Sequence, residues 1–164
     1  MKRLNFGCGK DFKEGWDNCD IQKGKGIIYC DMNKYPYPFK DNTYDYILVK
    51  QVSGYALERK RFFMELLRIA KHKGIIEVED TWYHNKGSDF AGHHEGVSDT
   101  MFYELEKCRY QISDKQFFKI VSLELIPSRI GRYLPLVLVK KLDILFSGLI
   151  SQIKVKIEVV KEEQ

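Results

Sequence analysis

The chain has 164 residues, a formal net charge of +4, 44% apolar and 30% charged residues. That is the balance of one globular domain with a sizeable core, and it excludes a collagen-like, low-complexity or disordered chain. Lysines and arginines are scattered without a block of like charge, so composition gives no case for nucleic acid and none is expected as a partner.

Residues 1–15 are polar and broken by glycine, which is not the pattern of a secretory leader. The four cysteines, Cys8, Cys19, Cys30 and Cys108, form no CxxC and no zinc spacing. They read as reduced thiols of a cytoplasmic protein.

In chain order, residues 2–6 read as a short strand, "DNCDI" ends a second and "GIIYCD" (26–31) is a third. "YDYILVK" (44–50) is nearly continuously apolar, as a strand buried on both faces should be. A helix is expected over about 57–72, with Phe63, Leu66, Leu67 and Ala70 on one face and Phe62 and Ile69 widening it. Its last turn would hold Lys71, His72 and Lys73, where cations suit the dipole, with Gly74 at C′. "IIEVED" (75–80) is a fifth strand. "VSDTMFYELEKC" (97–108) reads as a helix with Ser98 or Asp99 as N-cap, and "KIVSLELI" (119–126) as a sixth strand. "PLVLVKKLDILF" (135–146) reads as a helix with Pro135 in its first turn. "QIKVKIEVVK" (152–161) alternates Ile153, Val155, Ile157 and Val159 against Lys154, Lys156 and Glu158, the pattern of an antiparallel strand with one wet face. Seven strands with intervening helices give an α/β sheet, parallel first and antiparallel at the end. The chain reads as a single domain, 1–164. Its cofactor half is 1–80, and its acceptor half is 81–164 with an inserted helix at about 134–147.

Ligands of open parallel sheets bind beyond the carboxyl ends of the strands. Gly7 and Gly9 leave the end of the first strand bare, so a ligand can lie against backbone. Asp20 ends the second strand, where a carboxylate can take both hydroxyls of a ribose, and Asp31 ends the third, where a base would lie. Three features in register point to a nucleoside site rather than to plain turns and caps. The third small residue of a GxGxxG fingerprint is replaced by Phe12, and the first crossover is too short for a full helix. A pyrophosphate wants a helix N-terminus. NAD and FAD are therefore disfavoured, and a ligand without phosphates is favoured.

"LNFGCG", "GWDNCDI", "CDMNKYPYPFKDNTYDYILV" and "FFMELLRIAKHKGIIEVE", in that order, resemble the class I S-adenosylmethionine (SAM)-dependent methyltransferases of the methyltransferase type 11 group. The resemblance covers about residues 3–79 and runs more loosely to the C-terminus. It implies a Rossmann-like seven-stranded sheet whose last pair is antiparallel, SAM as cofactor, and a small-molecule or sugar-like acceptor. It places Asn5, Gly7, Cys8 and Gly9 by the methionine part, and Asp20 on the ribose. Ile21 would pack on the adenine, Asp31 and Met32 would meet its edge, and Lys50 and Gln51 would lie near the sulfonium. Where many relatives carry Glu-His after the fourth strand, this chain has "KQVSGYALE". That keeps a second reading open, a SAM-binding domain without catalysis that acts as a partner or sensor subunit. The tetrapeptide of amino-group methylating relatives is also absent, which favours an oxygen or carboxylate acceptor.

A general base helps a hydroxyl acceptor. The stretch "EDTWYHNKGSDFAGHHEG" (79–96) gathers the candidates, His93 first and His84 second. A metal held by His84, His93, His94 and Glu95 matches no known spacing and is not expected. Trp82 and Tyr83 either stack on an acceptor or pack the loop. Cys8 reads as a small buried residue rather than a reactive thiol. "LPLVLVKKLDILFSGLI" (134–150) is interrupted by Lys140, Lys141 and Asp143 and falls short of the roughly 20 apolar residues of a membrane span. It either lines the acceptor pocket or makes a homodimer contact. Arg129 and Arg132 before it suit an anionic acceptor or solvent.

Overall fold

The computed structural model describes residues 1–84, 96–107 and 116–161. Seven strands form one sheet: β1 (Arg3–Phe6), β2 (Asp17–Asp20), β3 (Ile27–Tyr29), β4 (Tyr44–Lys50), β5 (Ala70–Thr81), β6 (Gln116–Pro127) and β7 (Ile150–Lys161). Their order is β3-β2-β1-β4-β5-β7-β6. Strands β1 to β5 pair in parallel, and β7 runs antiparallel to both neighbours. This is the expected Rossmann-like methyltransferase sheet, mostly parallel with an antiparallel C-terminal pair. The chain moves outward from β1 through β2 to β3, then returns to start β4 on the other side of β1. That reversal opens a crevice at the carboxyl ends of β1 and β4.

Three helices are described: α1 (Arg59–Ile69), α2 (Asp99–Lys107) and α3 (Leu136–Asp143). Apolar spacing along α1 buries Phe62, Phe63, Leu66 and Leu67, worth roughly 1.5–3 kcal/mol for each side chain withdrawn from water. Phe62 stacks edge-on against Phe6, and Phe63 against Phe102 of α2 and Phe118 of β6. Both α1 and α2 therefore cover the same face, the one that carries Leu4, Ile47, Val49, Ile76, Val78, Val155 and Ile157. The opposite face carries charge. Glu77 is held by Tyr46 Oη at 2.6 Å, Lys154 Nζ at 2.8 Å and Lys156 Nζ at 3.4 Å. Trp16 closes over Tyr46 and under the Arg3 guanidinium. The double burial expected of β4 thus holds at Leu48 but not at Tyr46, which is half-exposed. The alternation expected of β7 holds along its length.

The helix expected over 57–72 ends earlier. Ala70 caps it in extended conformation and already belongs to β5. Lys71, His72 and Lys73 are consequently strand residues, not a last helical turn. The backbone N–H groups of Asn42 and Thr43 donate to the carbonyls of Arg68 and Ile69 at 3.0 and 2.8 Å. Those carbonyls are satisfied by the incoming loop, and the helix gains nothing by another turn. Gly74 is needed for a different reason: a Cβ there would lie 2.9 Å from the Lys71 carbonyl and 3.1 Å from that of Tyr44. Ser98, not Asp99, caps α2, with its Oγ 3.2 Å from Met101 N. Pro135 is the cap of α3 rather than part of its first turn. No helix among the described residues is long and apolar enough to cross a membrane.

Candidate cofactor-binding site

The end of β1 is shaped by its two glycines. Gly7 (φ +68°) and Gly9 (φ +48°) both take the left-handed conformation that favours glycine. A Cβ on Gly7 would come within 2.4 Å of Val52 Cγ2, so the bare backbone lets the segment after β4 close against the turn. A Cβ on Gly9 would meet nothing within 4 Å; it would stand in open space at the cleft.

No helix leads from β1 to β2. A pair of asparagines organises the crossover instead. Asn5 Nδ2 donates to the Asp11 carbonyl at 2.7 Å and to Asn18 Oδ1 at 3.0 Å. Asn18 returns two bonds from Nδ2, to the carbonyls of Lys13 and Trp16. Both side chains are buried, so the loop's polar groups are satisfied internally and the glycine turn is held in place.

The turn faces a cleft of about 500 Å³, within the ordinary range for small-molecule sites. Gly7, Gly9, Asp20, Ile21, Asp31, Met32 and Gln51 of the expected cofactor set line it. Asp20 Oδ2 accepts from Gly9 N and Oδ1 from Gln22 N, both at 2.8 Å. Its carboxylate is thereby fixed at the mouth, with lone pairs left for two hydroxyl donors. Asp31 Oδ1 accepts from Asn33 N at 3.0 Å. Ile21 is 58% exposed, an apolar side chain offered beside the cleft. Gln51 has positive φ (+55°), and its Oε1 accepts from Thr81 Oγ1 at 2.9 Å. Its Nε2 is buried without a partner among the described residues.

Three expected residues do not line the cleft. Asn5 is consumed by the loop, Cys8 is buried, and Lys50 is exposed and paired with Glu79 at 3.7 Å. Burial, and secondarily the Asp20 charge, push the Cys8 thiol up, so it is a poor nucleophile. Cys19 is pushed up further by contact with the Cys30 thiol and by burial. Phe6, Gln22, Cys30, Asn33, Val52 and Tyr55 also line the cleft, and sequence reasoning did not single them out. Asn33 builds the far wall: its Oδ1 accepts from Leu57 N at 2.9 Å, and its Nδ2 reaches the Tyr55 carbonyl. A polar residue two after Asp31, just beyond β3, was the available signal.

On the acceptor side, His93 lies outside the described residues, as do His94 and Glu95. His84 does not line the cleft; its Nδ1 sits 3.1 Å from the Asp143 carbonyl, and its ring packs on Tyr83. Trp82 is buried and donates from Nε1 to Asp143 Oδ2 at 2.7 Å. It packs the loop rather than an acceptor. The described residues contain no cluster able to hold a metal ion.

The lining includes two carboxylates and no lysine or arginine; Lys34 Nζ pairs with Asp31 Oδ2 at 3.5 Å, and Asp20 has no ion-pair partner among the described residues. Such a cleft repels phosphates and suits a neutral or cationic nucleoside. The open space at Gly9, the fixed Asp20 carboxylate and the unpartnered Gln51 Nε2 fit SAM, which carries a ribose diol, a sulfonium and a carboxylate.

No protein-family model matches the chain, and no curated protein matches its sequence. Solved structures do. The [4+2]-cyclase SpnF aligns with 100% of this chain and 75% of its own length, at 14% identity and a TM-score of 0.65. A SAM-dependent methyltransferase from Archaeoglobus fulgidus aligns over 96% of this chain and 86% of its own (16% identity, TM-score 0.64). One from Mesorhizobium loti aligns over 96% and 90% (13% identity, TM-score 0.61). Strand order, the crevice at the reversal point and these likenesses agree: the chain has the class I SAM-dependent methyltransferase fold.

Proposed function

We propose that this chain is a SAM-dependent methyltransferase of the type 11 group, acting in a reducing, cytoplasmic setting on a small-molecule or sugar-like acceptor, with oxygen the favoured nucleophile. One observation carries the reading: a cleft at the strand reversal joins a side-chain-free turn to two hydrogen-bonded carboxylates, with no lysine or arginine in its lining. Bound SAM supplies an electrophilic methyl on a sulfonium that departs as a neutral thioether. The chain's own residues then have to bind and align. Asp20 takes the ribose hydroxyls, Asp31 and Met32 the adenine edge, and Ile21 its face. The Gln51 amide offers an N–H donor at the inner end of the cleft. Alignment of this kind accounts for several kcal/mol of barrier, roughly 7–11 at most. A base for a hydroxyl acceptor would come from His93.

The test is calorimetric titration with S-adenosylhomocysteine, with NAD as comparison. Micromolar binding of the first and none of the second is expected. Asp20→Asn should weaken it about 10- to 150-fold, the worth of one charge-assisted hydrogen bond. Preferential binding of NAD, or Asp20→Asn binding as tightly as the parent, defeats the reading. A second reading, SAM binding without turnover, is favoured by the placement of His84 away from the cleft. The fold also serves the cyclase SpnF, so it does not dictate methyl transfer. Release of S-adenosylhomocysteine across a panel of hydroxylated acceptors separates the two.

A further inference from the structure

The insertion between β6 and β7 is the most apolar exposed part of the described chain. Ile130, Val137, Ile144 and Leu145 are 71–74% exposed, Tyr133 is 85% and Phe146 is 63%. These side chains follow one another within residues 130–146, where an ordinary surface scatters such residues singly. The charges beside them are of one sign. Arg129, Arg132 and Lys141 are exposed and have no ion-pair partner among the described residues, and Lys140 reaches Asp99 from the insertion's flank. The insertion's one acid, Asp143, is buried and holds Trp82 Nε1 and the backbone N–H groups of Leu149 and Ile150. Between α3 and β6 runs an apolar groove of about 700 Å³, with Leu123, Leu125 and Ile144 on its walls. Lys140 and Lys141 stand at its side, and Glu124 is the one acid among its lining residues.

We propose that this insertion is a docking surface for an anionic lipid bilayer, into whose headgroup region the apolar tip inserts while Arg129, Arg132 and Lys141 meet the lipid phosphates. The charge pattern selects this occupant. An exposed apolar segment that carries three unpaired cations, with Glu124 of the adjoining strand as the one acid at its groove, has the composition of a segment that lies in a membrane interface rather than across it. A second copy docked on the same patch would set the three unpaired cations of each copy against those of the other, with Glu124 alone at the groove to offset them. The surface is anchored for this task, because Asp143 ties the insertion to the end of β5 and Lys140 ties it to the start of α2. Pro127 of β6 pairs with Ile150 of β7 at the carboxyl edge of the sheet, so the docked face lies on the rim that holds the cleft. The proposal stands independently of the methyl-transfer reading, since lipid binding requires no SAM.

Co-sedimentation of the full chain with vesicles tests it. Vesicles of phosphatidylcholine mixed with phosphatidylglycerol should carry the protein down, at least tenfold more strongly than phosphatidylcholine alone, and salt should release it. Leu145→Ser with Phe146→Ser should lower partitioning at least tenfold on both vesicles. Arg132→Gln with Lys141→Gln should lower it about 25-fold on the anionic vesicles, about fivefold per charge, and leave the neutral ones unchanged. Thermal melts and far-ultraviolet circular dichroism of the variants check that they fold. The proposal is overturned if the folded parent chain stays in the supernatant with anionic vesicles. It is equally overturned if the apolar variant partitions like the parent, or if the patch instead supports a dimer that the apolar variant dissociates while vesicles stay bare.

Discussion

Replacing Asp143 by alanine should destabilise the chain out of proportion to the size of the side chain. The carboxylate is 2% exposed and accepts three hydrogen bonds: Trp82 Nε1 at 2.7 Å, Leu149 N at 3.0 Å and Ile150 N at 3.1 Å. Alanine leaves all three donors behind. An unsatisfied buried donor costs roughly 1–3 kcal/mol, offset in part because the carboxylate no longer has to be desolvated. The net loss should be about 3–5 kcal/mol. For a chain of this length each kcal/mol moves Tm by about 2–4 °C, so the fall should be about 6–20 °C. Asp143→Asn keeps one acceptor oxygen for the two backbone amides and turns an N–H toward Trp82, so it should lose about 1–3 kcal/mol. Far-ultraviolet circular dichroism melts give Tm, and the near-ultraviolet band reports the packing of Trp82, one of only two tryptophans. If the alanine variant melts within about 2 °C of the parent, water replaces the carboxylate at no cost, and the claim that this one side chain anchors the insertion is wrong.

Two further outcomes follow from the same geometry. Gly9→Ala should weaken S-adenosylhomocysteine binding by tenfold or more while costing only about 1–2 kcal/mol of stability: the new Cβ clashes with nothing in the protein but occupies the cleft at a positive φ. Equal binding by the variant would show that the ligand does not approach that turn. Glu77→Gln tests the charged face of the sheet. Burial alone would raise the Glu77 carboxyl, but Lys154 and the Tyr46 hydroxyl, with Lys156 behind, hold it below its usual value. A depressed carboxyl stabilises the fold above its unfolded pKa of about 4.3, and that contribution disappears as pH falls through the lower folded value. Urea midpoints of parent and variant should differ at pH 7 and converge below about pH 4; a constant difference would remove the ionic account.

Much of the cleft was legible because its chemistry is local. Gly7 and Gly9 announce a bare turn, Asp20 falls at the end of β2 by counting from apolar runs, and Asp31 lies two residues beyond β3 rather than at its end. What each does to a neighbour was not legible. Asn5 stood in the right motif, yet Asn18, 13 residues on, takes its amide. Lys50 is the last residue of the fourth strand rather than the first beyond it, and strand alternation turns it to Glu79 on the charged face. Trp82 read equally as a stacking platform or as packing, and only Asp143, 61 residues away, decides it. The end of α1 followed the same rule: its cationic run and Gly74 form a plausible helix terminus, but the amides of Asn42 and Thr43 reach the last carbonyls first.

By itself the sequence determines the seven strands, most of the element types and the wet and dry sides of β7, because periodicity and residue chemistry act within a few positions. Tertiary structure alone decides that β7 slides between β5 and β6, that both α1 and α2 lie on one face, and that α3 leaves Leu136, Val137 and Leu138 in the open. Those outcomes depend on which distant groups satisfy one another's hydrogen bonds and apolar surface, and no run of neighbouring residues carries that information.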